Sequence, residues 1–181
     1  MMEDLSLHIL DIAENAIAAG ATRIAVNINE NERRDLLTVR ISDNGRGMSK
    51  KVRRQALDPF FSTKGKATGL GLSLLAQATD QCGGELAITT APRKGTAILA
   101  RFSYHHIDRP PLTRMAATMS TLILGHKEIY FRYVHRHNGR VFRFDGRGLL
   151  KRYRSAVGTD PALIGSVTKV LRAGLNRIGR T

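Results

Sequence analysis

The segment Asp43-Asn44-Gly45-Arg46-Gly47-Met48 sets the first constraint on the fold. It follows directly on residues 36–42, a stretch with strand character, and two glycines in three residues cannot prolong a strand. The chain must turn there. Glycine permits either a positive φ or a close approach of the backbone to something else. An Asp at such a strand end can accept a hydrogen bond from an exocyclic amine, and a plain turn would use the same residues.

The flanking pattern predicts an α+β order. Leu5, Ile9, Ile12, Ala13, Ala16 and Ile17 recur at helical spacing over residues 5–19, with Gly20 as a stop. Residues 22–29 alternate Ile24, Val26 and Ile28 with polar neighbours, as a half-buried strand does. A charged turn separates them from the strand at 36–42. Residues 49–57 read as a short helix capped by Ser49, and residues 58–69 as a loop. A helix follows over 70–82, then strands at 85–91 and 95–103 joined by a Pro92–Gly95 turn. The expectation is a four-stranded sheet with helices on one face, an α/β sandwich.

After Tyr104 the texture changes. The spacing predicts a helix that starts at Pro110 or Pro111, capped by Asp108, and runs to about Leu124. His137-Asn138-Gly139 predicts a hairpin between residues 128–136 and 140–145, and residues 161–178 read as an amphipathic helix. The expected division is a domain over 1–104 and a small α+β C-terminal extension over 105–181.

Charge follows that division. Residues 1–103 carry 14 Lys/Arg against 11 Asp/Glu, whereas residues 104–181 carry 15 against 4. A basic extension suits a protein partner with acidic groups or nucleic acid, and equally suits a solvated surface. Its aromatics, Tyr130, Phe131 and Tyr133, are partly needed by the hairpin core, which counts against base stacking. Cys82 is the only cysteine, so no internal disulfide forms and a reducing cytosol is expected. No apolar run approaches the roughly 18–20 residues that cross a bilayer. The acidic start does not resemble a signal peptide, so no membrane association is expected.

Three further groups carry chemistry. His8, Asp11 and Asn15 share one face of the first helix. A carboxylate and an amide one turn apart can hold hydrated Mg²⁺ and orient a water, though a solvated helix face looks the same. Thr68-Gly69-Leu70-Gly71-Leu72-Ser73 lies at a loop-to-helix junction, where free amides and the helix dipole attract an anion. It is not a P-loop. Thr96, after Gly95, opens a strand and offers a hydroxyl to a purine edge.

Taken in order, the helical Asn, DNGRGM, PFFSTK, TGLGLSL and a Gly-Thr before a strand resemble the motif set of the GHKL, or Bergerat-fold, ATPase superfamily. That superfamily joins histidine-kinase catalytic domains, type II topoisomerases, mismatch-repair ATPases and a heat-shock chaperone class. ENAIAAGATRI is similar to the mismatch-repair ATPases, and DPFFSTKGKATGLGLSLL to the lid and glycine box of histidine kinases. The resemblance covers residues 5–103 and implies that Mg-ATP is held between the first helix and a glycine-rich lid.

By position it implies Asn15 as the Mg²⁺ ligand and Asp43 as reader of the adenine amine. Gly45 and Gly47 would lie beneath the nucleotide and Thr96 on the adenine side, while Met48 reads as core or pocket lining. Thr68, Gly69, Leu70, Gly71 and Leu72 would form the turn facing the phosphates, and Lys64 sits where a lid could present a cation to the terminal one, a solvent-exposed lysine being the equal alternative. Phe60 and Phe61 anchor the lid. Hydrolases of the superfamily place a Glu four residues before the Mg²⁺ Asn. Here that position is Asp11, one methylene shorter, which is the candidate general base.

Only four residues precede the first helix, which leaves no room for the phosphoacceptor hairpin of a sensor kinase. The resemblance then implies a stand-alone cytoplasmic protein of bacterial signalling. It would act as a regulatory ATPase, or as a trans-acting protein kinase of histidine or serine type with a protein phosphoacceptor, and it is compatible with a homodimer. HIDRPPLTRMAAT and the hairpin ending FRFD resemble the tail of small bacterial ATPases associated with iron-only hydrogenases, which implies a regulatory or assembly role. The alternative is a nucleotide-gated binding module with little turnover, whose basic tail docks a protein or nucleic acid.

Overall fold

The computed structural model describes residues 4–56, 70–148 and 161–180. Helix α1 (Leu5–Ala18) leads into β1 (Arg23–Asn31), a 3₁₀ turn at Glu32–Arg34, and β2 (Leu36–Asp43). Then come α2 (Lys50–Gln55), α3 (Leu70–Gln81), β3 (Glu85–Thr90) and β4 (Thr96–Ser103). The remainder is α4 (Met115–Gly125), β5 (Tyr130–His137), β6 (Arg140–Asp145) and α5 (Pro161–Arg177).

Caps explain where the helices begin. The Asp4 carboxylate accepts from the Ser6 amide at 2.8 Å, and Ser49 Oγ accepts from the Val52 amide at 3.3 Å. Each satisfies a first-turn N–H that has no helical partner. Gly20, at φ +77°, ends α1.

The α+β class holds, but the sheet has six strands rather than four, in the order β3-β4-β2-β1-β5-β6. The hairpin expected to stand apart joins the sheet instead. β5 lies parallel to β1, from the pair Arg23–Tyr130 to the pair Glu30–His137. Without it, the nine-residue β1 would be an open edge with a full row of unpaired N–H and C=O groups. The sheet is therefore continuous across the change of composition at Tyr104.

Alternation then separates two faces. Ile24, Val26 and Ile28 of β1, Leu37, Val39 and Ile41 of β2, and Ile98, Ala100 and Phe102 of β4 share one face with Phe131, Tyr133 and Phe144, and all are buried. Against them pack Leu5, Ile9, Ile12 and Ala16 of α1, Leu72 and Leu75 of α3, and Val167, Leu171 and Leu175 of α5. α4 adds Met115, Met119 and Leu122 to the same core.

α4 starts later than the sequence suggests, and Asp108 does not cap it. The Pro110-Pro111 pair disfavours helix in the residue ahead of each proline. Residues 110–114 instead lie against the start of α1 without forming helix. The Leu5 amide donates to the Pro111 carbonyl at 2.8 Å, and Thr113 donates to the Asp4 carboxylate through its amide at 3.0 Å and its hydroxyl at 2.5 Å.

A buried polar cluster joins β1, β5 and the C-terminus. Glu30 and His135 are almost fully buried, with His135 Nε2 2.7 Å from Glu30 Oε1. Tyr133 Oη lies 2.6 Å from His135 Nδ1, and Arg180 Nε lies 2.8 Å from Glu30 Oε1. Burial pushes the Tyr133 phenol well above its usual pKa, so it keeps its proton and donates to Nδ1. Burial pulls the His135 imidazole below its usual value, against the Glu30 carboxylate, so a neutral ring donates from Nε2.

Two outcomes follow for stability. Arg180→Gln strands the Glu30 charge in the core and lowers unfolding free energy by about 3 kcal/mol in urea titration, and adding Glu30→Gln recovers much of that loss. His135 has a lowered folded pKa, so its contribution is full above the unfolded value of 6.5 and is lost as pH falls through 6.5 towards the folded value. Chemical denaturation from about pH 7 to about pH 5 shows a shallower loss in His135→Gln than in the parent protein.

Candidate functional site

The ends of β2 and β4 bring two of the expected site residues together. β2 pairs with β4 up to Ser42–Ala97, so Asp43 and Thr96 stand side by side on the helix-bearing face, one residue beyond the last pair. Asp43 Oδ1 accepts from the Gly45 amide at 2.7 Å. Burial raises the Asp43 carboxyl above its ordinary value, and the amides of Gly45 and Thr96 only partly offset that. The result is a half-buried acceptor whose charge the fold tolerates rather than favours.

The turn after Asp43 is held by protein contacts. A Cβ on Gly47 (φ +63°) would lie 2.0 Å from the Ala91 carbonyl oxygen. A Cβ on Gly95 (φ +72°) would lie 2.0 Å from the Asp43 carbonyl oxygen. Both glycines are thus required where the 43–48 segment lies on the β3–β4 turn, whatever else approaches it. Gly45 is buried against the end of α1, with the Ala19 carbonyl oxygen 3.0 Å from where its Cβ would be. Met48 is half-buried, and its amide donates to Thr90 Oγ1 at 2.9 Å.

The wall beside this floor is α1. Asp11 and Asn15 are exposed on it, whereas His8 is buried. The N-terminus of α3 meets the same wall. A Cβ on Gly71 would fall 2.5 Å from Asp11 Cβ and 3.0 Å from Asp11 Oδ2. Gly71 therefore lets the first turn of α3 lie directly on the Asp11 carboxylate's side of α1. Leu72 is buried one residue on, and anchors that turn in the core. Leu70 opens α3. Lys64, Thr68 and Gly69, with Phe60 and Phe61, lie outside the described residues.

Two residues of this region escape a reading by motif. Asn44 clamps the turn to the start of β1. Its Oδ1 accepts from the Thr22 and Arg23 amides at 2.9 and 2.7 Å, and its Nδ2 donates to Thr22 Oγ1 at 2.9 Å. Thr90 closes the β3–β4 hairpin in register with Thr96, 3.2 Å between hydroxyls, and donates to the Gly95 carbonyl at 2.9 Å. The signal for Thr90 is its place as the last strand residue before the turn. Asn44 has no signal beyond the known taste of Asn for capping backbone amides.

An acceptor carboxylate at a strand end, a carboxylate and an amide on the adjoining helix, and a helix N-terminus facing them fit an adenine nucleotide with its cation. Because the folded pKa of Asp43 is raised, its ionised form costs stability as pH rises through that value. Asp43→Asn keeps the acceptor for the Gly45 amide and raises the melting temperature of ligand-free protein by about 1–2 °C at neutral pH. Gly47→Ala forces a clash with the Ala91 carbonyl and destabilises by about 2–3 kcal/mol, read by urea unfolding.

Comparison with known proteins points the same way. The model of the family described as histidine kinase-, DNA gyrase B- and HSP90-like ATPases matches residues 3–106. The signal transduction histidine-protein kinase AtoS of Escherichia coli is 32% identical over 94 residues, covering 51% of this chain and 16% of AtoS. Sporulation kinase A of Bacillus subtilis is 30% identical over 93 residues, covering 51% of this chain and 15% of that kinase. The chain thus spans about a sixth of the length of these relatives. Among solved structures, the Aquifex aeolicus MutL ATPase domain complexed with ADP superposes with a TM-score of 0.51 at 16% identity, over 85% of this chain and 68% of that one. With the family model covering more than half of its length and the fold shared with a MutL ATPase domain, the chain belongs to the histidine kinase-, DNA gyrase B- and HSP90-like ATPases and carries their ATP-binding, histidine-kinase-like module.

Proposed function

We propose that this module binds Mg-ATP across the β2–β4 strand ends and acts as a regulatory ATPase or trans-acting protein kinase in bacterial signalling. The observation that carries the reading is the half-buried Asp43 carboxylate beside Thr96, with α1 and the α3 N-terminus on the same side. Asp43 accepts the adenine amine, and Thr96 bonds the purine edge. Gly45, Gly47 and Met48 form the floor. Asn15 holds Mg²⁺, and the turn through Thr68, Gly69, Leu70, Gly71 and Leu72 takes the phosphates on its amides. Lys64 supplies a cation to the terminal phosphate. The nucleotide supplies a transferable phosphoryl group; Asp11 orients and deprotonates the acceptor, water or a side-chain hydroxyl or imidazole.

A second reading, a nucleotide-gated binding module with little turnover, is favoured by one contact. His126, just past α4, sits 3.0 Å from Glu14 on α1, between Asp11 and Asn15 in sequence. The extension over 105–181 thereby touches the helix that carries the Mg²⁺ ligand, a route by which nucleotide can control a docked protein. A stand-alone protein in the cytoplasm, with a homodimer as its assembly, fits both readings. Among the described residues no helix is long and apolar enough to cross a membrane.

Phosphate release and phosphorylation of candidate acceptors, measured with Mg-ATP on the parent, Asp11→Asn and Asn15→Ala proteins, separate the two. A regulatory ATPase or kinase loses turnover by about 10²-fold or more in Asp11→Asn, with nucleotide affinity kept, and Asn15→Ala loses the Mg²⁺ dependence of binding. Tight binding without turnover in the parent selects the gated module. Turnover unchanged in Asp11→Asn contradicts its role as base.

A further inference from the structure

The face of the sheet away from the helices carries a second, separate pattern. Its strand residues include Arg23, Arg40, Arg101, Arg132, Arg136 and Arg143, and no Lys. Two strand carboxylates share that face, and both are taken: Glu85 by Arg101 at 2.6 Å and Asp145 by Arg147 at 2.9 Å. Arg40, Arg132, Arg136 and Arg143 have no carboxylate partner among the described residues.

Register fixes their spacing. Arg143 is opposite Val134, which lies between Arg132 and Arg136 on β5. Arg132 and Arg136 are therefore about 13 Å apart along the strand. Arg143 is diagonal to each at about 7–8 Å. Arg40 lies in the same row across Asn27, about 14 Å from Arg143. Val134, in the middle of this group, is only 2% exposed. Like charges at such spacing repel, and nothing within the strands relieves them.

We propose that this face binds the phosphate backbone of duplex nucleic acid without sequence preference, through Arg40, Arg132, Arg136 and Arg143. Guanidinium forks match phosphate oxygens bidentately, and Asn27, Asn29 and Thr38 between them are further donors. A protein partner would need an apolar centre to the interface. Among the described residues the exposed large apolar side chains, Leu7, Ile107 and Val170, all lie outside the strands, whereas a polar, strongly positive surface is what nucleic-acid interfaces present. A single strand would need stacking platforms. Phe131 and Tyr133 are in the core, and the Tyr130 ring lies under the Arg147 guanidinium at 5.7 Å with its hydroxyl on Asp145 at 3.1 Å.

The test is fluorescence anisotropy of a labelled DNA duplex of about 30 base pairs with the full chain, titrated at several salt concentrations. The parent is expected to bind with a steep inverse salt dependence. Arg40→Gln/Arg132→Gln/Arg136→Gln/Arg143→Gln is expected to bind at least about 100-fold more weakly near 0.1 M salt, with the log–log slope lowered by about 3–4. Its melting temperature is not lowered, since the substitutions relieve repulsion, and its ATP affinity stays at the parent's value, since they lie on the other face of the sheet. The pair Arg132→Gln/Arg136→Gln alone gives about half that slope change. Lys169→Gln/Arg172→Gln on α5 is the charge-matched control and is expected to alter the slope by well under 1. Equal loss in control and pair overturns the proposal, because binding then follows net charge alone. Tighter binding of polyglutamate or of a single strand than of the duplex overturns it as well, the first in favour of an acidic protein.

Discussion

The backbone contact between residues 43–48 and the turn at 91–95 is what the site depends on. Gly95 brings its Cα against the Asp43 carbonyl and Gly47 against the Ala91 carbonyl, at distances no side chain permits. The Arg93 amide donates to the Arg46 carbonyl at 2.7 Å across the same junction. That packing holds the end of β2 against the end of β4, so Asp43 and Thr96 are placed by backbone rather than by flexible side chains. It also explains how a carboxylate can be kept where burial disfavours its charge: the Gly45 and Thr96 amides are aimed at it by the same turn.

A second dependence runs through α1 and β1. β1 is central in the sheet, paired with β2 on one side and β5 on the other. Its penultimate residue, Glu30, collects His135 of β5 and Arg180 after α5. At the other end of the same region, Asp4 collects Thr113 before α4, and Glu14 meets His126 after it. The basic part of the chain is thus tied to the first helix and first strand through polar contacts at Glu30, Asp4 and Glu14, among others. Two of these points, Asp4 and Glu14, lie at the start of and on the helix that carries Asp11 and Asn15.

Much of this was legible in the sequence, for identifiable reasons. Alternation in residues 22–29 and 36–42 gave strands of the right face, because one side of a two-layer fold must be apolar. Ser49 and the Asn138-Gly139 turn announce themselves by local chemistry alone. The placement of Asp43 beside Thr96 came from the family resemblance, not from spacing, since pairing across the sheet leaves no local mark. The same limit hid the sixfold sheet: a hairpin reads alike whether it stands alone or adds to a neighbour, and the parallel partner of β5 lies about a hundred residues earlier. Glu30 looked like part of a charged turn. Its burial depends on an arginine at position 180, which no local window contains. The Pro110-Pro111 pair has the look of a helix start, yet the steric restriction on residues before proline wins, helped by Asp4.

The central claim is that Asp43 reads the adenine amine. Calorimetric titration of the parent and Asp43→Asn with Mg-ATP and with Mg-ITP, which carries a carbonyl in place of that amine, tests it directly. The account predicts that the parent binds ATP and discriminates against ITP by about 10²-fold or more, because an acceptor left facing an acceptor loses its hydrogen bond and gains repulsion. Asp43→Asn then loses most of its ATP affinity and its discrimination. Equal binding of ATP and ITP by the parent, or ATP affinity unchanged in Asp43→Asn, would contradict it.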